Sequence, residues 1–329
     1  MNEENLFDIV GIGDVVVDAF IKLEVGHTEE TANGAEYCLP FGSKIPYESM
    51  TEVPAVGNSA NAVVSASRLG LKTALVSCVG NDNDGKKCVE KLKKENVSTN
   101  FIKVEENKKT NYHYVLWFGD DRTILIKHEN FHPELDDAKT KWIYLSSIGE
   151  NEKYLHDDVL KYLEKYPETK LAFQPGTYQL ILGKELLPIY KKATVVCMNK
   201  EEAKELLETN SDDIKELLEG VASMGPQTVL ITDGANGSYV KYDGTLLFMP
   251  TYPDIKTPYE RTGAGDAFFS TFVSYMAKGF DEKHAIQRAP INAMNVVQCI
   301  GAQEGLLSEE KIEEYLKNAP EDYKLEILV

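Results

Sequence analysis

An aspartate that follows Gly-Ala-Gly and opens an apolar run has two jobs available to it. In "RTGAGDAFFS", residues 261–270, Asp266 stands directly behind Gly263, Ala264 and Gly265. The first job is capping, because a carboxylate at a helix start accepts bonds from unpaired backbone amides. Ala267, Phe268, Phe269, Phe272, Val273 and Met276 carry helical spacing, so a helix is expected to begin here. Capping needs no glycines, whereas a glycine-bearing turn lets an anion approach amides that the helix dipole reinforces. A carboxylate beside that anion repels it unless it takes a proton from the group attacking the phosphorus. The second job is therefore general base in phosphoryl transfer.

Four other stretches place polar groups at useful spacing. In "GIGDVVVD", Asp14 and Asp18 fall at the expected end of a first strand; four apart, they share one strand face. They read either as solvated charges or as acceptors for sugar hydroxyls. "VGNSAN" opens a helix with Gly57, Asn58 and Asn61, whose amides suit either N-capping or polyol recognition. "MNKEEAKELL" sets Asn199 and Glu202 at i and i+3 on one helical face, as surface residues or as holders of water around Mg2+. "TDGANGSYV" joins two strands through Gly234 and Gly237, with Thr232 and Asp233 at the turn; the loop is a plain turn or admits a nucleotide close to the backbone.

The elements that must hold these groups alternate. Apolar strand-like runs at "DIVGIGDVVVDAF", "TALVSCVG", "WIYLSS", "LAFQPG", "TVVCMN" and "TVLITDG" are separated mostly by helical patterns. That order predicts a mainly parallel sheet covered on both faces, with ligands beyond the carboxyl ends of its strands. Two stretches break the pattern. Residues 20–52 show no helix, and 101–127 read as strand, "GDDR" turn, strand; together they predict a small separate sheet suited to a water-excluding lid. The aromatics of "YHYVLWF", Trp117 among them, are expected to form the core of that lid, with His113 structural.

Composition narrows the partners. The chain has 329 residues, 43% hydrophobic and 27% charged, with a net charge of −18. Such a charge repels polyanions, so neither nucleic acid nor an acidic membrane surface is an expected partner. The acidic start "MNEENLFDIV" and the lack of a long apolar run point to the cytoplasm. Five cysteines without CxxC spacing read as free, mostly buried thiols.

Taken in order, "GIGDVVVD", "VGNSAN", "NKEE", "TDGANGS" and "RTGAGD" resemble the ribokinase-like (PfkB) family of carbohydrate and nucleoside kinases, and "PGTYQ" and "NAMNVVQCIGAQEG" also look like family segments. The resemblance spans nearly the whole chain. It implies a three-layer α/β/α fold (1–19, 53–99 and 128–329) with a β lid (20–52 and 100–127). It implies an enzyme that uses ATP and Mg2+ to phosphorylate a hydroxymethyl group. Asp266 matches the base, and Gly263, Ala264 and Gly265 the anion hole. Asn199 and Glu202 match the metal-organising pair. Asp18, Gly57 and Asn61 match acceptor-holding positions, with Asp14 and Asn58 nearby, while Gly234 and Gly237 match the nucleotide loop beside Thr232.

Two departures stand out. Arg261 stands where the resemblance leads one to expect an aspartate that helps bind a monovalent cation; an arginine there would supply the charge itself or contact ATP phosphate, making added potassium unnecessary. Val56 replaces a glycine before Gly57 and reshapes the acceptor end. A sugar kinase is the leading expectation and a nucleoside kinase the alternative. A non-catalytic sensor is disfavoured by the retained base and anion hole. Lids of this kind often pair, so a homodimer through the lid is a further expectation.

Overall fold

The computed structural model describes residues 6–31, 34–119, 121–135 and 138–328, so residues 1–5 of the acidic start and Asp120 of the expected "GDDR" turn lie outside it. The chain opens with β1 (Phe7–Ile12) and β2 (Val16–Leu23), makes a hairpin of β3 (His27–Thr31) and β4 (Gly34–Cys38), and returns along β5 (Tyr47–Val56). Helix α1 (Asn58–Arg68) leads into β6 (Thr73–Gly80), α2 (Asn83–Lys94), β7 (Val97–Ser98) and β8 (Ile102–Glu105). A second excursion, β9 (Asn111–Phe118) and β10 (Asp121–Leu125), precedes β11 (Thr140–Leu145). Alternation follows through α3 (Tyr154–Lys165), β12 (Lys170–Phe173), α4 (Thr177–Leu182), α5 (Leu187–Lys192), β13 (Val195–Asn199), α6 (Lys200–Leu206), α7 (Ile214–Ser223) and β14 (Thr228–Thr232). The chain then runs through β15 (Ser238–Tyr242), β16 (Thr245–Met249), α8 (Ala264–Ala277), α9 (Glu282–Ile286), α10 (Ala289–Val296), α11 (Glu309–Lys317) and β17 (Glu326–Ile327).

Among the described residues, eleven strands form one sheet in the order β17-β16-β15-β14-β13-β12-β11-β1-β6-β7, with β8 also on β6. Pairings from β7 to β14 are parallel, and β15 to β17 finish the sheet antiparallel. All eight residues of β6 are buried, as a strand covered on both faces requires. Strand β11 shows why the protein has three layers. Ile143 and Leu145 join a core with α3, α5 and α7 residues, while Trp142 and Tyr144 face a second core built with Phe269 and Phe272 of α8 and Ile291 of α10. Period two on one strand thus feeds two helical layers.

The second sheet stands apart in the order β10-β9-β2-β5. Its strands come from both stretches that break the alternation. Trp117 is buried in it, edge-on to Tyr259 with the Lys22 ammonium over its ring. One expectation needs correction. "DIVGIGDVVVDAF" is two strands, not one: β1 ends at Ile12, Asp14 lies in the connection, and Asp18 belongs to β2 of the small sheet. The chain must leave the main sheet between them, which an unbroken apolar run does not reveal. Another irregularity lies opposite, where Val16 pairs with Val56 and Val17 with Pro54, leaving Ala55 as an extra residue with φ 63°.

Candidate active site

Helix α8 begins where the sequence placed it. Gly263 takes φ 81°, and a Cβ there would lie 2.3 Å from the Ala302 Cβ, so both backbone and space demand glycine. Ala264, Gly265 and Asp266 form the first turn. Amides in a first turn have no intrahelical partner and add the positive end of the helix dipole. At Gly265 an added Cβ would meet only Gln174 Nε2, at 3.9 Å, so glycine there leaves open space rather than fitting a tight one.

Asp266 is 6% exposed, and its carboxylate is held by three amide donors. Asn58 Nδ2 donates to Oδ1 at 2.8 Å, Gln174 Nε2 to Oδ1 at 3.2 Å, and Asn61 Nδ2 to Oδ2 at 2.8 Å. Two of these amides are themselves oriented. Tyr144 donates its hydroxyl to Gln174 Oε1 at 2.6 Å, and Gln303 Nε2 donates to Asn61 Oδ1 at 3.0 Å, which turns both NH2 groups toward Asp266. Burial raises the Asp266 carboxyl above the usual range, and the Asn61, Asn58 and Gln174 bonds pull it back. An ionised carboxylate has about four lone-pair sites, so roughly one remains for an incoming hydroxyl.

On the far side of this turn lies a cavity of about 510 Å³ whose wall includes Thr232, Gly234, Gly237, Arg261, Ala264 and Gly265. Six of the residues singled out from sequence therefore meet in one cavity. Pro290, Ala293, Met294 and Val297 add apolar lining. A space of this size, lined by the first turn of α8 and by apolar side chains, is large enough for a nucleotide. Arg261 is exposed at the wall, and its charge pulls down the carboxyl of Asp254 that desolvation raises. The acid buried in this turn is Glu260, one residue earlier: Oε2 accepts from Thr262 N at 2.7 Å and Oε1 from Gly301 N at 2.9 Å. Glu260 thereby ties the turn ahead of α8 to the loop at Gly301.

Asn199 and Glu202 form a capping box. Asn199 Oδ1 accepts from Glu202 N at 2.9 Å, and Glu202 Oε2 from Asn199 N at 2.8 Å. Burial raises the Glu202 carboxyl, the Asn199 amide opposes it, and the charge of Asp266 adds to the rise. The capping box uses Glu202 Oε2, so Oε1 could receive a water of a hydrated divalent ion.

The acceptor candidates lie on the lid side. Gly57, with φ 121°, packs so closely that a Cβ would come 2.5 Å from the Asp14 carbonyl oxygen. Asp14 accepts from Asn111 Nδ2 at 3.5 Å and pairs with His128 Nδ1 at 3.2 Å. Asp18 lies 3.4 Å from His113 Nδ1 across the β2–β9 pairing, and the two imidazoles are 5.5 Å apart edge to face. The bond to Asp14 raises the His128 imidazole against the opposing effect of burial. Asn58 and Asn61, expected to face a polyol, both donate to Asp266.

Nearby, burial and the Asp14 charge push the Glu152 carboxyl up to about 7, with the Gly149 amide and His128 opposing. An acid with a raised folded pKa loses stability as pH climbs from its unfolded value near 4.5 through 7. Glu152→Gln should therefore stabilise the protein by about 1–3 kcal/mol at pH 8 and give no gain at pH 4. Denaturant melts at both pH values check this; equal gains at both would refute it.

Sequence reasoning missed Gln174, Tyr144, Glu260, Gln303, Asn111, His128 and Glu152. Gln174 had a usable signal, since it ends the β12 run at the ligand side of the sheet. The others meet the site through long-range contacts that no local spacing announces.

A parallel sheet carrying a β lid, with a helix N-terminus and a buried carboxylate between cavity and lid, defines a kinase acting on a small alcohol. The pfkB family carbohydrate kinase model matches residues 23–309. The chain belongs to that family and is a phosphotransferase with an alcohol group as acceptor, a sugar or nucleoside kinase. Ribokinase from Bacillus subtilis is 27% identical over 288 residues, covering 84% of this chain and 92% of that protein. By structure, Arabidopsis thaliana ribokinase complexed with ribose and ATP matches 94% of this chain and 98% of that one, with TM-score 0.78 and 19% identity. A nucleoside kinase from Methanocaldococcus jannaschii covers the same shares at TM-score 0.75 and 21% identity. No helix among the described residues is long and apolar enough to cross a membrane.

Proposed function

We propose that the protein transfers the γ-phosphoryl group of ATP to a hydroxymethyl group of a small sugar. The observation that carries this is the buried, ionisable Asp266 carboxylate in the first turn of α8, whose Ala264 and Gly265 line a nucleotide-sized cavity. ATP lies in that cavity with its terminal phosphate against the amides of Gly263, Ala264 and Gly265. The acceptor hydroxyl takes the remaining lone-pair site of Asp266, which removes its proton as the oxygen attacks in line. The amides then stabilise charge gathering on the phosphoryl oxygens. Mg2+, held through water by Glu202 and Asn199 and by the phosphates, would neutralise phosphate charge.

Asp14 and Asp18 hold acceptor hydroxyls, helped by Gly57, which fixes the backbone of Asp14. His113 Nε2 is buried without a hydrogen-bond partner among the described residues, and Asp18 Oδ1, 3.4 Å from His113 Nδ1, accepts no hydrogen bond from them, which suits a polyhydroxylated ligand. The four-stranded sheet acts as the lid. Trp117 is spent on Tyr259 and Lys22, so it offers no face for a base, and a sugar is favoured over a nucleoside. ADP release measured with ribose, fructose, other sugars and a nucleoside panel tests this; turnover on nucleosides alone would overturn the sugar assignment. ATP binding with no turnover on any acceptor would favour a sensor.

The lid also exposes Tyr47, Met50, Ile124 and Leu125, an apolar surface that pairs with the lid of a second copy. Sedimentation of a pure monomer at micromolar concentration would refute the dimer. The free cysteines suit the reducing cytoplasm, and the acidic surface gives nucleic acid no purchase.

A further inference from the structure

Gln303 is 1% exposed in the loop after α10. Its Nε2 donates to the carbonyl of Ala55 at 2.6 Å and to Asn61 Oδ1 at 3.0 Å. Both amide protons are thereby used. Its Oε1 is buried with no partner among the described residues. Packing alone gives no reason to bury a side chain with an orphaned acceptor. The donors are what the site requires.

Each donor bond fixes something. Asn61 has one oxygen and one NH2 group, and only one orientation serves the base. With Oδ1 turned to Gln303, its NH2 must face Asp266 Oδ2. Without Gln303 the amide can turn over and set its oxygen against the carboxylate. Ala55, at the other bond, is the extra residue between the Val16–Val56 and Val17–Pro54 pairs, at the root of lid strand β5. It is buried with a left-handed φ of 63°, a conformation that costs an L-residue energy and persists only when neighbours enforce it. Cys88 Sγ accepts from its amide at 3.2 Å while Gln303 holds its carbonyl.

We propose that Gln303 is a positioning residue that locks the Asn61 amide toward Asp266 and ties that orientation to the root of the lid. Lid and base then share a single side chain. The role of Asp266 as base rests on the kinase reading, but the locking can be measured without turnover. The groups facing Asp266 are Asn58 and Asn61 from α1, Gln174 beyond β12, Tyr144 on β11, Cys197 on β13 and Glu202 on α6. Burial holds Tyr144 and Cys197 protonated, so Glu202 is the neighbour whose titration overlaps.

The test is a 13C NMR titration of the Asp266 carboxyl in aspartate-labelled protein, assigned by its loss in Asp266→Asn. Gln303→Met, of similar length but without donors, should raise the midpoint by about half a unit or more. Gln303→Glu, whose carboxylate turns the Asn61 amide over, should raise it by about one unit or more. Where the parent turns over an acceptor, kcat should fall about tenfold in Gln303→Met with ATP affinity in the cavity unchanged. Exchange of the Ala55 amide should accelerate about tenfold. A midpoint unmoved in either folded variant overturns the lock, and unchanged Ala55 exchange overturns the tie to the lid. Failure of the parent to transfer phosphate would count against the kinase reading alone, since the titration and exchange need no catalysis.

Discussion

Asp266→Asn is expected to lower kcat by roughly 10²- to 10⁴-fold with ATP affinity nearly kept, the usual share of general-base catalysis. The carboxylate is the acceptor for three NH2 donors and has space for one more proton, that of the attacking hydroxyl. An asparagine in its place offers one oxygen to those donors and turns an NH2 against at least one of them. The variant loses its basicity and also disturbs its own surroundings, at a local cost of about 1–3 kcal/mol. For that reason the measurement pairs steady-state kinetics with calorimetric ATP binding. Lost turnover with binding intact supports the base, and turnover near that of the parent would end the proposal. In the parent, kcat should also fall on the acid side as pH drops through the raised Asp266 value, because protonation removes the base.

The second large effect is expected at the turn itself. Gly263→Ala meets a left-handed φ of 81° and a contact of 2.3 Å with Ala302 Cβ. The conformation costs about 1–2 kcal/mol and overpacking about 1–3 more, so the turn must shift. Displaced amides no longer converge on the phosphoryl group, and kcat should fall by about 10²- to 10³-fold, the scale of a lost oxyanion donor. Gly265→Ala is the informative comparison. Its methyl has room, with Gln174 Nε2 at 3.9 Å as nearest neighbour, and alanine favours the helix by about 0.5–1 kcal/mol. The variant should melt no lower than the parent yet bind ATP more weakly, because the methyl occupies the approach of the phosphate. Full activity in a stable Gly265→Ala would show that no anion docks there.

Much of this was legible because it is written locally. Strand and helix alternation, the two glycines before Asp266 and the lid excursions all depend on residues close in sequence. What stayed hidden depended on which surfaces meet. Gly13 to Val15 carry no signal strong enough to show that the first apolar run turns out of the main sheet, so Asp18 was assigned to the wrong strand. Asn58 and Asn61 look free until α8 packs beside α1 and presents Asp266 to them. Asn199 and Glu202 satisfy each other's backbone, a local reading that the spacing also permitted. Arg261 drew attention through its charge, while the quieter Glu260 beside it holds two loops together.

The cavity next to α8 is walled by residues from 232 to 297, and the lid is built from strands between residues 16 and 125. On the proposed function, recognition of the phosphate donor and choice of the recipient would thus come from opposite halves of the polypeptide. Exchange of the amino-terminal half among relatives would then redirect the enzyme to a new metabolite while the machinery that handles its energy currency stays intact.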